Sequence, residues 1–424
     1  MQSRVYPWSS SPDLALAELF EEFGIEPIEP VAATLPEIPS FIRRGIVVGH
    51  RDYGPIADAI RHHTPFHVMT GFMPSGEPHL GHLMVMKEVV WHVRQGGTGS
   101  IAIADREAHA VRGVSWERCR EYGRQYLACL YALGYEGTAY FQSTNNRLKD
   151  LAFEAAGKIN FSDLNAIYGF APETSLAHAM SVATQVADIL YPQADGAIAP
   201  TVVPVGLDQD PHIRLTRDVA HKLRMFTVED RGDHISIRSK SATESAMGAL
   251  HEAFPGSTRY GGHVDIPGGD FDAVAATARA VERSCGGWAF ISPSATYHTF
   301  MPGLQGGKMS SSVPESSFTF TEPDELVRKR VMGALTGGRV SLDEQRRRGG
   351  DPDRCSVFAL NRFHMVDDDR ELEEIRRQCA AGELMCGQCK KDTLERVRAF
   401  LADFRERMDE SAHRVEMSHG TVAE

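Results

Sequence analysis

Two imidazoles stand three residues apart where Thr70-Gly-Phe-Met-Pro-Ser-Gly-Glu-Pro-His79-Leu-Gly-His82 leads into a helix-like stretch from Leu83 to Val93. Gly76 and Pro78 shape a loop there, and Gly81 leaves room for a flat base to lie on the backbone. Histidines at i and i+3 share one face at a helix start, where free amides and the helix dipole attract phosphate. Taken alone, the pair reads equally well as two histidines on a solvated helix or as half of a metal site. A second segment decides the matter. Gly303-Leu-Gln-Gly-Gly-Lys308-Met309-Ser310-Ser-Ser312 is a glycine-rich loop with one lysine and a run of hydroxyls, suited to neutralising a polyphosphate as it leaves. Its bland alternative is a linker, which the presence of both segments in this order makes the poorer reading.

Such residues need a scaffold that gathers strand ends. Short apolar runs at Phe66 to Met69, Ser100 to Ala104, Ala139 to Gln142 and Thr201 to Val205 alternate with segments of helical character. That alternation predicts an α/β fold with a doubly wound, parallel, Rossmann-like sheet. Ligands bind beyond the carboxyl ends of such strands, and the histidine pair and Asp208 both follow such runs. The expected organisation is an N-terminal extension over 1–64, opening with a helix from Asp13 that Gly24 caps. The first part of the catalytic domain covers 65–224, an inserted small α/β module 225–295, the second part with the lysine loop 296–339, and a C-terminal helical domain 340–424.

Hydrophobic residues at 42% and charged residues at 24% exclude a disordered acidic chain and a small disulfide scaffold. A net charge of −12 argues against wholesale non-specific nucleic-acid binding, while leaving room for local basic groups such as Lys390-Lys391. No run of about 18 apolar residues and no apolar signal core occur, so no membrane association and a cytoplasmic location are expected. Seven cysteines, an odd number, fit a reducing compartment.

His79-Leu-Gly-His82 and Lys308-Met-Ser-Ser-Ser312 resemble the two signature motifs of class I aminoacyl-tRNA synthetases, and the likeness covers most of the chain. It narrows to the tryptophan and tyrosine subclass. Val203-Pro-Val-Gly206-Leu-Asp208-Gln209-Asp-Pro211 and the residues up to Asp218 resemble tryptophanyl-tRNA synthetases of archaeal and eukaryotic type. Tyr6-Pro-Trp8, His50-Arg-Asp52, Thr336-Gly-Gly338 and Arg348-Gly-Gly350 do likewise. The resemblance implies activation of L-tryptophan by ATP, with Mg²⁺, to an adenylate, transfer to tRNA(Trp), and a homodimer. It implies that His79 and His82 stabilise the phosphates and that Lys308, assisted by Ser310, holds the departing pyrophosphate. Gly71, Pro74, Ser75, Gly81, Gly206, Asp208, Gln209 and Met309 are the implied ATP contacts, Asp208 accepting from the ribose hydroxyls. A helix N-cap is the alternative for Asp208, because Pro211 follows closely.

The amino-acid pocket departs from the family pattern. Archaeal and eukaryotic tryptophan enzymes read the indole N–H with a tyrosine and a glutamine, and here those places hold Met69 and Ala102. Met69 suits packing against a ring. Asp188 resembles the aspartate that bacterial tryptophan enzymes use for the indole N–H, and Gln185, one turn earlier, the glutamine that binds the α-amino group; Glu107 is expected to pair with the substrate ammonium. The alternative for Asp188 is a structural acid on a helix end. Gly71 to Gly76 and Ala104-Asp105 also look like archaeal tyrosyl-tRNA synthetases. Selecting a phenol needs polar groups that the wrong substrate leaves unpaired, which Met69 cannot supply, so tryptophan is the better reading. A non-catalytic synthetase paralogue that binds tRNA or nucleotide is the alternative from another class, and the intact motifs weigh against it.

Cys355, Cys379, Cys386 and Cys389 follow the pattern C-x23-C-x6-C-x2-C. Sets of four thiolates serve both zinc and iron–sulfur clusters. A subset of tryptophanyl-tRNA synthetases carries a [4Fe-4S] cluster with nearly this spacing in the anticodon-binding domain, so the resemblance favours iron–sulfur over zinc, with Lys390 and Lys391 beside it as tRNA contacts.

Overall fold

A computed structural model of the chain describes residues 23–307, 309 and 313–420. Lys308 and Ser310, Tyr6-Pro-Trp8 and nearly all of the helix expected from Asp13 lie outside these residues. Gly24 has φ +62°, the left-handed geometry of a helix C-cap.

The chain divides into two compact units, one from the chain up to Asn146, Val202–Pro211 and Ser294 onward, the other from Arg147–Thr201 and His212–Pro293. The first is built on a seven-stranded sheet of order β1-β2-β11-β6-β3-β4-β5. Its strands are β1 (Glu26–Pro27), β2 (Val47–Arg51), β3 (His67–Phe72), β4 (Thr98–Ile103), β5 (Gly137–Phe141), β6 (Thr201–Gly206) and β11 (Ser294–His298). β3, β4 and β5 run parallel, as do β6 and β11, while β1 and β2 add an antiparallel edge. The four apolar runs expected to be strands are β3 to β6. β11 lacked such a signal for a physical reason: it reads Ser-Ala-Thr-Tyr-His yet is buried throughout, its Thr296 hydroxyl donating to the buried Glu88 carboxyl group at 2.5 Å.

The helices used below are α1 (Leu80–Arg94), α2 (Asp105–Ala110), α3 (Trp116–Ala132), α4 (Leu176–Asp195), α5 (Asp324–Gly333), α6 (Asp369–Ala381) and α7 (Cys386–Glu410). α1 follows β3 and buries Leu80, Leu83, Met84, Met86, Val89 and Val90 together with Glu88 and His92, so it is covered all round, as a helix inside a large core must be. His92 donates from Nδ1 to the Glu88 carbonyl at 2.9 Å, leaving Nε2 to accept from the Tyr53 hydroxyl at 2.9 Å. Gly123 lets α3 lie against β5, since a Cβ there would sit 2.4 Å from the Phe141 ring. One apolar cluster runs from these elements into the C-terminal helices, through Val357, Phe358, Leu394, Val397 and Phe404.

In the second unit, four antiparallel strands of order β7-β8-β10-β9 (Phe226–Asp230, Ile235–Ser239, His263–Ile266 and Thr258–Arg259) pack with helices Glu244–Ala253 and Phe271–Ser284 around Phe226, Ile237, Leu250 and Val264. Among the described residues no helix is long and apolar enough to cross a membrane.

Candidate active site and cysteine cavity

His79 is the N-cap of α1 and His82 its third helical residue, and the two close a reciprocal capping box. The His79 Nδ1 accepts the Gly81 amide at 3.1 Å, and the His82 Nδ1 accepts the His79 amide at 3.2 Å. Two helix-start amides are thereby satisfied by imidazoles rather than by the usual Ser or Asp. With Nδ1 an acceptor, each ring carries its proton on Nε2. That of His82 lies 3.2 Å from the Tyr126 hydroxyl on α3. Burial lowers His79 to about 4 and His82 well below its ordinary value, His79 adding to the latter effect. Both rings are therefore neutral hydrogen-bond donors near pH 7.

The second motif comes to the same place. The Leu304 amide donates to the Ser316 carbonyl at 2.8 Å, closing the base of the segment that carries Lys308. A Cβ on Gly81 would stand 2.9 Å from the His79 ring and 3.3 Å from the Met309 sulfur, so glycine is what lets the three meet. Thr319 forms an isolated antiparallel bridge with His79. A cleft of about 870 Å³ opens beside them, lined by Ser75, Glu77, His79, Arg112, Thr319 and Arg330 among others. Gly71 is exposed one residue before the buried end of β3, with Pro74 buried and Ser75 exposed in the following loop.

Asp208 and Gln209 lie in the 3-10 turn Leu207–Gln209 directly after β6, so Asp208 is not a helix N-cap. A Cβ on Gly206 would fall 2.8 Å from the Asp208 carboxylate and 3.0 Å from the Phe300 ring. Beside this turn Asp210 is buried and held by the Tyr297 hydroxyl at 2.5 Å and Arg51 at 2.8 Å.

Met69 is buried in β3 and Ala102 in β4. Glu107, on α2, is raised to about 6 by burial, against the pull of Arg112. Gln185 and Asp188 are in the second unit on α4, Gln185 half-buried and Asp188 buried in mid-helix rather than at an end.

The four cysteines line one small apolar cavity with Val357, Phe358, Ile375 and Leu384. Cys355 caps the short helix Ser356–Leu360, Cys379 is near the end of α6, and Cys386 and Cys389 open α7. Glycines shape the surround: a Cβ on Gly338 would reach within 2.8 Å of the Cys386 sulfur, and one on Gly350 within 2.9 Å of that of Cys379. All four thiols are free, and burial, reinforced by the neighbouring thiols, pushes Cys379 up to about 11 and Cys389 up to about 12. Among the described residues no three His, Cys, Asp or Glu side chains are placed to hold a metal ion. The expectation of a metal or iron–sulfur ligand set at Cys355, Cys379, Cys386 and Cys389 thus finds a shared cavity but no formed metal site. Lys390 donates to the Met332 carbonyl at the end of α5 at 2.8 Å, and Lys391 is exposed.

Sequence reasoning did not single out Tyr126, Arg112 or Thr319. Each lies outside any spaced motif and reaches the site only through tertiary packing, so no local signal marks it.

A family model described as tRNA synthetases class I (W and Y) matches residues 61–240 and 260–402. The chain is 50% identical to the tryptophan–tRNA ligase of Methanosarcina acetivorans, over 96% of this chain and 97% of that one. It is 47% identical to that of Archaeoglobus fulgidus, over 99% of both. Among solved structures, the tryptophanyl-tRNA synthetase of Aeropyrum pernix K1 is similar with a TM-score of 0.77 at 32% identity, over 97% of this chain and 98% of that one.

Proposed function

The chain belongs to the class I tRNA synthetases of the tryptophan and tyrosine group, and we infer from this that it is an enzyme that joins tryptophan to tRNA(Trp). In the first step the tryptophan carboxylate attacks the α-phosphorus of ATP in line, forming an acyl–phosphate bond as the bond to pyrophosphate breaks. In the second, a terminal ribose hydroxyl of the tRNA attacks the acyl carbon and AMP leaves. The observation that carries this reading is the meeting of Met309 with Gly81 and His79, which joins the two motifs at one helix start.

In this reading the His79 Nε2–H donates to the phosphates as charge builds on them, while His82, expected beside it on the phosphates, instead holds the His79 backbone in place, since both its ring nitrogens are engaged within the protein. Lys308 and Ser310 neutralise the departing pyrophosphate. Mg²⁺ accompanies ATP, as it does wherever phosphates supply most of its ligands. Gly71, Pro74, Ser75 and Gly81 seat the nucleotide, Asp208 with Gly206 and Gln209 takes the ribose, and Met309 covers it. Met69 packs on the indole, Asp188 accepts its N–H, and Gln185 with Glu107 binds the ammonium. The enzyme works in the cytoplasm as a homodimer, for which Phe153 and Leu176, 76% and 82% exposed, offer apolar surface.

Tryptophan-dependent ATP/pyrophosphate exchange, run beside the same assay with tyrosine, tests the activity. Exchange with tryptophan alone is expected; exchange with neither, or with tyrosine only, removes the reading. Asp188→Ala should weaken tryptophan binding about 10- to 100-fold and ATP binding little. An equal loss of both would make Asp188 structural.

The cysteine cavity supports a second assignment, a [4Fe-4S] cluster held by Cys355, Cys379, Cys386 and Cys389. The donor set is all thiol, the surround is apolar, and the two glycines leave no Cβ against the sulfurs; the space between them is about 10 Å³, so the helical segments would have to part to admit the cluster. Bound there, the cluster would cross-link three helical segments of the C-terminal region. Anaerobically purified protein should be brown and contain iron and labile sulfide, and Cys386→Ser should bleach it; zinc alone would defeat the assignment.

A further inference from the structure

We propose that Tyr126 is a positioning residue for the adenylation step, acting through His82; the activity it serves is the one inferred above. Its ring is buried on α3 and stacked on Phe72 at the end of β3, with centroids 5.4 Å apart and planes at 29°. Its hydroxyl lies 3.2 Å from the His82 Nε2, and the two rings meet edge to face at 5.0 Å. The phenol is thus clamped between the strand that precedes the first motif and the second histidine of that motif.

The tautomer follows from this geometry. The His82 Nδ1 lies 3.2 Å from the His79 amide, an approach that requires a lone pair on Nδ1, since an N–H there would oppose a second N–H. The ring proton therefore sits on Nε2, and Tyr126 supplies the acceptor for this half-buried N–H. Both nitrogens of His82 are thereby engaged inside the protein. What His82 holds is the His79 backbone, in an extended conformation with φ −137° and ψ 176°, from which the His79 side chain takes up its cap on Gly81. Tyr126 is thus two hydrogen bonds removed from the ring assigned to the phosphates, and it governs where that ring stands.

The test is Tyr126→Phe in the full chain, which keeps the stacked ring and removes only the acceptor. Exchange kinetics are measured with ATP and tryptophan varied separately. Long-range proton–nitrogen correlation spectra of histidine-labelled protein are recorded in parallel, the His82 signals being assigned by their loss in His82→Gln. Losing the partner of a half-buried donor shifts an equilibrium by about fivefold to tenfold. We therefore expect kcat to fall by about that factor with the tryptophan KM unchanged, and the His82 spectrum to pass from a single Nε2–H form to a mixture. Unchanged kcat with an unchanged spectrum would make Tyr126 a space-filler, and a fallen kcat with an unchanged spectrum would show that it does not act through His82; either overturns the proposal. If the unsubstituted protein exchanges no pyrophosphate, the activity fails on its own account, while an Nε2–H signal insensitive to Tyr126→Phe still decides against the role given to Tyr126. Tyr126→Leu, which removes the stack as well, separates loss of packing from loss of the acceptor through its melting temperature.

Discussion

The start of α1 and the cysteine cavity each gather residues far apart in the chain, but they are organised in opposite ways. At the helix start every polar contact that fixes His82 is already made, and burial keeps both imidazoles neutral. At the cavity the side chains share a space without a ligating arrangement, and burial pushes the Cys379 and Cys389 thiols further above the ordinary thiol range, making their deprotonation harder. Ligation requires thiolates, so filling that cavity must release protons. The difference teaches which part of the molecule is preorganised by the fold alone: electrostatic help to a transition state works best from donors that need not move, whereas a structural staple can be completed by what it binds.

The comparison is broken most directly at His79, which combines two roles. Asparagine is a good N-cap but lacks a donor at the position of Nε2. His79→Asn is therefore expected to leave stability within about 1 kcal/mol and to lower kcat for exchange about 10²- to 10³-fold. A large drop in melting temperature with little loss of kcat would reduce His79 to a capping residue.

The next effect sharpens the claim that the helix start rests on a rigid base. Burial raises Glu88 to about 7 from an ordinary 4.5, with the Thr296 bond opposing. The folded protein thus keeps a proton that the unfolded chain gives up between those values, so stability falls as pH rises through this window and levels off above the folded value. The span corresponds to about 3 kcal/mol. Glu88→Gln still accepts from Thr296 and cannot ionise, so urea midpoints at about pH 5 and about pH 8 should differ less in the variant than in the parent. Equal pH dependence in both would place the ionisation elsewhere.

The motifs were legible because their chemistry needs fixed spacing, as in His79 to His82, and β3, β4 and β6 were legible because strands buried on both faces are apolar. β11 was not, since its buried Ser294 and Thr296 are polar residues that donate to distant partners, the Asp52 carbonyl and Glu88. Tyr126 was equally silent: nothing around it in α3 distinguishes it from Tyr122 or Tyr131, and only the fold brings it to His82. The cysteine spacing announced four thiols in one cavity, but spacing carries no information on whether their sulfurs are poised for ligation.

The smallest expected effect separates two adjacent lysines beside that cavity. Lys390 spends its ammonium on the Met332 carbonyl at the C-terminal end of α5, where a cation complements the helix dipole, while Lys391 is exposed on α7. If the C-terminal region meets tRNA through phosphate contacts, Lys391→Ala should raise the KM for tRNA a few-fold, and the salt dependence of that KM should become shallower by roughly one counterion. Lys390→Ala should instead lower stability by about 1 kcal/mol, leaving the salt slope as it was. The distinction rests on where each charge is engaged and not on its position in the sequence, where the two are neighbours of one type. Equal salt slopes for both variants, steady-state aminoacylation being the measurement, would mean that neither ammonium faces the nucleic acid.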